Sequence, residues 1–213
     1  MGKGFYIAVE GPIGVGKTSL AKILVEDLNA RLVLENVSEN PFLADYYNNP
    51  KRFAFQTQIT FLILRHRQQT ELRQKDLFGE YTVSEYVYEK DNLFASLTLD
   101  EKEYNLYQRI AGLLEEEKPN VPDLVVLLQS TPERLLTNIR IRGVPYESNI
   151  SVTYLKDLCE MYNRFFFGWD KSPILIINTS QIDFVKDQVQ RSRLVNLIKD
   201  MPSGTTYFNP EIY

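Results

Sequence analysis

Gly11-Pro12-Ile13-Gly14-Val15-Gly16-Lys17-Thr18 has the spacing of a phosphate-binding loop: Gly, four residues, Gly, Lys, then Ser or Thr. Its surroundings suit that reading. Phe5 to Val9 is a short apolar run rich in β-formers and reads as a buried strand. From Thr18 onward, Leu20, Ala21, Leu24, Val25 and Leu28 recur at helical spacing. Between strand and helix, the backbone N–H groups of Gly14 to Lys17 can converge on one anion, with the positive end of the helix behind them. Lys17 is placed to reach the β- and γ-phosphates of a nucleotide, and the Thr18 hydroxyl to bind Mg²⁺.

Outward from this loop, apolar strands alternate with helical stretches. Arg31 to Leu34 reads as a second strand that ends at Glu35. A short helix around Pro41 to Tyr47 and a long one from Lys51 to Lys75 follow. Tyr81 to Ser84 is a third strand, and Asp100 is placed to cap a helix running to Glu117. Asp123 to Gln129 is a fourth strand. Ser130-Thr131-Pro132 opens a helix that stops at Arg142-Gly143, with Pro in its first turn. Val144 to Ile150 is a polar loop, and Ser151 caps a helix from Val152 to Trp169. Ile174 to Asn178 is a fifth strand and Ile182 to Lys199 a last helix. The tail from Pro202 reads as irregular. Five strands separated by helices imply an α/β fold, a parallel sheet covered on both faces, with ligands at the carboxyl ends of the strands.

With 213 residues and 44% hydrophobic content, the chain suits one domain over 1–213 with a substantial core. A net charge of −4 argues against a general nucleic-acid surface. One Cys excludes an internal disulfide, and no Cys/His cluster has metal-ligand spacing. No apolar run approaches the roughly 18 residues of a membrane span. A strand begins almost at the first residue, which leaves no signal peptide to read. The expectation is a protein of the reducing cytoplasm, with no nucleic-acid or membrane partner. His66, Cys159 and Trp169 read as structural.

The residues that follow the strands carry the remaining chemistry. Glu35 comes to the phosphate loop in this topology, where a carboxylate can accept the proton of an attacking hydroxyl. The same position also suits an ordinary exposed strand end. Gln58 and Arg65 are seven apart, hence nearly on one helix face, amid Phe55, Phe61 and Leu62. An amide and a guanidinium among aromatics can read a base edge, although a solvated stripe would have the same spacing. Arg140 and Arg142, with Glu147, flank the polar loop. They can clamp phosphates under a lid, or simply favour a helix C-terminus.

Taken together these residues resemble the deoxynucleoside kinases, phosphate-loop enzymes that move the γ-phosphate of ATP to the 5′-hydroxyl of a deoxynucleoside. The resemblance runs over almost the whole chain. Its carriers are the loop with Ser19, Glu35-Asn36-Val37 with Asn40-Pro41-Phe42, Tyr47 with Pro50, and Gln58 with Arg65. They continue through Asp91 to Ala95, Arg142-Gly143 with Glu147, and Ile182-Asp183-Phe184. It implies a sheet order of 2-3-1-4-5 and a short lid at about 140–150. Glu35 is then the general base, and Tyr47 and Glu147 the ligands of the sugar 3′-hydroxyl. Gln58 becomes the base reader, with Arg65 and Asp91 paired beside it. Asp183 and Phe184 lie by the adenine, Thr18 and Glu85 serve Mg²⁺, and Lys17, Arg140 and Arg142 act on the phosphates. A homodimer through the helices Lys51–Lys75 and Asp100–Glu117 is implied as well, together with a role in nucleoside salvage.

Two departures stand out. Many family members carry an acidic residue, Arg, then Ser or Thr after the third strand; here the run is Ser84-Glu85-Tyr86. Alignment forward from Glu85 places Asp91 at the family's Asp, whereas alignment back from Phe94-Ala95 places Lys90 there. The lid has Asn138 and Val144 where two arginines are usual, with Arg140 as a substitute. A nucleoside monophosphate kinase on the same scaffold is the alternative enzyme. Against it, Glu35, Tyr47 and Gln58 suit a neutral acceptor. A nucleotide-binding switch of the GTPase kind would want an Asn-Lys-x-Asp motif, which is absent.

Overall fold

The computed structural model describes residues 4–74, 80–114, 120–200 and 202–209. Strand β1, Phe5–Glu10, runs into the phosphate loop and then helix α1, Lys17–Leu28. After β2 (Arg31–Val33) come α2 (Leu43–Asn48) and the long α3 (Pro50–Gln74). Strand β3 (Tyr81–Ser84) precedes α4 (Lys90–Thr98) and α5 (Glu101–Leu114). Then follow β4 (Leu124–Gln129), α6 (Pro132–Arg142), α7 (Val152–Phe167), β5 (Ile174–Asn178), α8 (Gln188–Lys199) and β6 (Thr205–Phe208). The expected ends at Lys75 and at Glu115 to Glu117 lie outside the described residues.

All strand pairs are parallel, in the order β2-β3-β1-β4-β5-β6. The two faces separate with the period of a strand. Ile7, Val9, Leu124, Val126, Leu128, Leu175 and Ile177 point to one face and pack with Leu20 and Leu24 of α1 and Leu194 and Ile198 of α8. Ala8, Val125, Leu127, Ile174 and Ile176 point to the other and meet Leu158, Tyr162 and Phe166 of α7. Both faces are therefore dry, which is what the continuous apolar runs of β4 and β5 require.

Three expectations need correction. The sheet has six strands, because Thr205–Phe208 in the tail adds to the β5 edge: Ile174 pairs with Thr205 and Ile177 with Phe208. The last helix starts at Gln188 instead of Ile182, since Asp187 is its N-cap and accepts from the N–H groups of Val189 (2.9 Å) and Gln190 (3.1 Å). Residues 182–187 are thereby freed as a loop. Helix α4 had no counterpart in the sequence reading. Other caps stand as expected: Thr131 opens α6 and Ser151 opens α7, and Asp100 caps α5 through the Glu103 N–H at 2.9 Å.

Candidate active site

The carboxyl ends of β1, β2 and β3 open into a cleft of about 610 Å³, the size of a small-molecule site. Its floor is the phosphate loop. Gly11 has φ +144°, and a Cβ there would lie 2.4 Å from the Leu128 carbonyl oxygen, so only glycine lets the loop turn against β4. Gly16, at φ +104°, lies under the Phe184 ring, whose nearest atom would be 3.0 Å from an added Cβ. This contact brings residues 182–187 to the phosphate-loop end of the cleft, and Asp183 and Phe184 both line it.

Lys17 Nζ donates to the carbonyl oxygens of Gly11 (2.8 Å) and Pro12 (3.2 Å) within its own loop. Burial, reinforced by the nearby charge of Lys90, brings its ammonium down to about 8. Thr18 Oγ1 donates to Glu85 Oε2 at 2.5 Å, and Glu85 Oε1 accepts from the Glu35 N–H at 2.8 Å. These are hard oxygen donors side by side, suited to Mg²⁺, which typically takes one or two protein ligands and fills its shell with water and phosphate. No cluster of three metal-ligating side chains occurs among the described residues.

Glu35 stands just past β2 at the cleft wall. Arg65 donates to its Oε1 through Nε (2.9 Å) and Nη2, and Lys90 Nζ donates to Oε2 at 2.6 Å. Burial alone would raise its pKa, but Arg65 and Lys90 outweigh burial and hold the carboxyl well below the usual carboxylate range. Arg65 Nη1 also bonds Asp91, and the guanidinium lies 4.9 Å from the Phe61 ring centre. Gln58 is buried, and its Oε1 has no partner in the described residues. Tyr47 stacks on Tyr146 at 5.7 Å between ring centres. Burial and then the Glu147 charge push its phenol far up. Glu147 is buried and receives Arg142 through Nε (3.1 Å) and Nη2 (2.7 and 2.6 Å).

The cleft therefore collects Gly14 to Ser19, Glu35, Tyr47, Gln58, Arg65, Glu85, Arg142, Glu147, Asp183 and Phe184. Three expected residues fall outside it: Gly11, which is buried beneath the loop against Leu128 of β4, Arg140 and Asp91. Arg140 is exposed and does not line the cleft, because α6 turns Arg134, Asn138, Ile141 and Arg142 inward and position 140 lies on the far side of the turn. Asn138 instead ties α6 to the loop, donating to the Gly14 carbonyl at 2.8 Å. Asp91 is buried behind Arg65, so it orients that arginine but does not face the cleft. Its neighbour Lys90 takes the place in the wall.

Three participants were not singled out from sequence. The sequence offers Lys90 only as an alternative to Asp91 at one aligned position. Glu10, fully buried, accepts from the N–H groups of Gly11 (2.9 Å) and Val87 (3.0 Å) and from the Tyr162 hydroxyl (3.2 Å). Arg134 lines the cleft. A charged residue closing an apolar strand, as Glu10 closes β1, was the available signal for the second.

The model of the deoxynucleoside kinase family matches residues 7–202 of this chain. The chain belongs to the deoxynucleoside kinase family. It is 29% identical to the deoxyguanosine kinase of Bacillus subtilis (strain 168), over 92% of this chain and 97% of that one. It is 31% identical to the deoxyadenosine kinase of Dictyostelium discoideum, over 95% and 86%. Among solved structures, the deoxyadenosine kinase from M. mycoides with bound dATP superposes with a TM-score of 0.78 at 24% identity, over 92% of this chain and all of that one. At that identity the likeness is one of fold. As a deoxynucleoside kinase the chain is an enzyme of phosphoryl transfer whose substrates are small nucleosides and nucleotides. No helix among its described residues is long and apolar enough to cross a membrane.

Proposed function

We propose that this kinase transfers the γ-phosphate of Mg²⁺-ATP to the 5′-hydroxyl of a deoxyribonucleoside, in nucleoside salvage. The observation that carries the reading is Gln58. A buried amide oxygen left without a partner in a cleft wall is where a donor from a ligand belongs. Gln58 offers an acceptor and donors together, which is what the edge of a nucleobase needs. Tyr47 and Glu147, read as the sugar's ligands, and Glu35, read as the partner of the hydroxyl, line the same cleft as Gln58 and the phosphate loop.

Each residue then has a role set by its surroundings. Glu35 accepts the hydrogen bond of the 5′-hydroxyl and orients it towards the γ-phosphate. Because two cations suppress its basicity, it takes the proton late, as a largely dissociative transfer allows. Lys17, Gly14 to Thr18 and Ser19 hold the phosphates, with Asp183 and Phe184 beside the adenine. Thr18, and Glu85 through water, would hold Mg²⁺, which would supply charge neutralisation on the phosphates. Arg142 donates to the transferring group once Glu147 turns to the sugar 3′-hydroxyl. Tyr47 and Glu147 crowd the sugar and so favour deoxyribose. A homodimer through α3 and α5 and a cytoplasmic setting complete the reading.

The test is ADP release with Mg²⁺-ATP against deoxyadenosine, deoxyguanosine, deoxycytidine and thymidine, their ribose counterparts and the corresponding monophosphates. At least one deoxynucleoside should turn over, in preference to its ribonucleoside. Turnover of monophosphates alone would overturn the assignment.

A further inference from the structure

Lys90 is an ammonium group that nothing so far explains. It is 5% exposed, and a lysine is seldom buried without a reason. It is also the first residue of α4, where the positive end of a helix disfavours a cation. Burial and helix polarity both act against lysine here, and the ion pair with Glu35 is set against both costs.

Its position is informative. Among the described residues its side-chain hydrogen bond goes to Glu35 alone, at 2.6 Å. An ammonium has three donors, so two remain for something else. The amine lies in the cleft wall beside Phe94, 5.7 Å from that ring's centre, and near enough to Lys17 to act on it electrostatically. Residues 85–89, between β3 and α4, supply no cation in its stead. Tyr86, which follows Glu85, is fully buried and its hydroxyl donates to Gln68 at 2.7 Å.

We propose that Lys90 is a catalytic residue, whose ammonium stays on Glu35 with one N–H and donates another to an oxygen of the phosphoryl group in transfer. This rests on the reading of the cleft as a deoxynucleoside kinase site. In the step, the 5′-oxygen forms its bond to the γ-phosphorus while the bond to the β–γ bridging oxygen breaks. That electron pair leaves with ADP, and the hydroxyl proton passes to Glu35. Lys90 remains protonated throughout. Negative charge spreads over the equatorial oxygens during the step, and a fixed cation is worth most there. The cation absent from Ser84-Glu85-Tyr86 is thus delivered from the start of the next helix.

The competing explanation is that Lys90 merely balances Glu35, and a double-mutant comparison separates the two. Lys90→Met, Lys90→Arg and Glu35→Gln are assayed with the deoxynucleoside the wild type turns over best, together with Lys90→Met in the Glu35→Gln enzyme. Nucleoside binding is measured separately in the presence of ADP. Lys90→Met should lower kcat by roughly 10²-fold or more, with nucleoside affinity held within a few-fold. Lys90→Arg should keep at least about a tenth of wild-type kcat. In the Glu35→Gln enzyme, Lys90→Met should lower kcat again by roughly tenfold or more, since a transition-state contact survives loss of its carboxylate partner. Should Met at this buried position prevent folding, Lys90→Gln gives the same comparison. The proposal is overturned by a neutral variant with near-normal kcat, by a loss confined to nucleoside affinity, by an arginine variant as slow as the methionine one, or by no further loss in the Glu35→Gln background. A wild-type enzyme inactive on every deoxynucleoside removes this proposal together with the reading beneath it; an active one insensitive at position 90 removes this proposal alone.

Discussion

Lys17 bonds its own loop through the Gly11 and Pro12 carbonyls, and its ammonium is brought down to about 8 from the usual 10.5 by burial and by Lys90. The sign of the resulting pH effect is fixed. Below about pH 7 the lysine is charged whether or not a nucleotide is bound. Above pH 8 the empty loop sheds the proton, and bound phosphates must recover it. Nucleotide affinity should therefore fall as pH rises through 8, by up to about tenfold per pH unit. Calorimetric titration of ADP with EDTA, between pH 7 and 9.5 in two buffers of different ionisation enthalpy, should reveal proton uptake that begins near pH 8. Uptake should vanish in Lys17→Ala. Constant affinity with no uptake across that range would show that the loop does not perturb its lysine. At this scale the sequence was legible where a motif fixed both identity and spacing, as at Gly11 to Thr18. Position 90 was not. Whether Lys90 or Asp91 faces the cleft depends on the phase of α4, which a single helical residue of slippage would reverse.

Helix α8 shows why elements were read less well than motifs. Ile182, Val185 and Val189 have helical spacing, yet Ile182 and Phe184 are buried as a loop, with Phe184 over Gly16, and the helix waits for Asp187. Long-range packing overrode a local pattern. The cap itself is local. Its carboxylate satisfies two of the N–H groups that every helix start leaves orphaned. Asp187→Ala should cost about 1 kcal/mol, seen as a fall of roughly 2–4 °C in Tm for a chain of this size. Asp187→Asn should recover most of it. No change in Tm would mean that Phe184, and not the cap, sets where α8 begins. Strand β6 escaped reading for a related reason. Thr205–Phe208 alternates exposed and half-buried positions at a sheet edge, and nothing in four such residues names their partner. The inner strands β1 and β4 were legible because a strand buried on both faces has to be apolar throughout.

For the whole molecule, the faces that the sheet does not use are the informative ones. Ile63 on α3 and Leu106 and Leu113 on α5 are 53%, 47% and 77% exposed, as large apolar side chains of an unpaired helix layer. If α3 and α5 carry the dimer, Ile63→Asp with Leu113→Asp should shift the sedimentation-equilibrium mass from twice the chain mass to the chain mass at micromolar concentration. A wild type already monomeric there would remove the dimer. The other organising feature is internal. The Glu10 carboxylate holds Gly11 of the nucleotide loop, Val87 on the way to α4, and Tyr162 of α7 in one knot. For descent with change this sets a rule. Gly11 is moored to one oxygen and Val87 to the other oxygen of a single carboxylate, so neither stretch of backbone can slide without disturbing the other. New acceptor preferences in this lineage, natural or engineered, have to come by exchanging side chains on α2, α3 and the start of α4, while the path of the main chain is inherited intact.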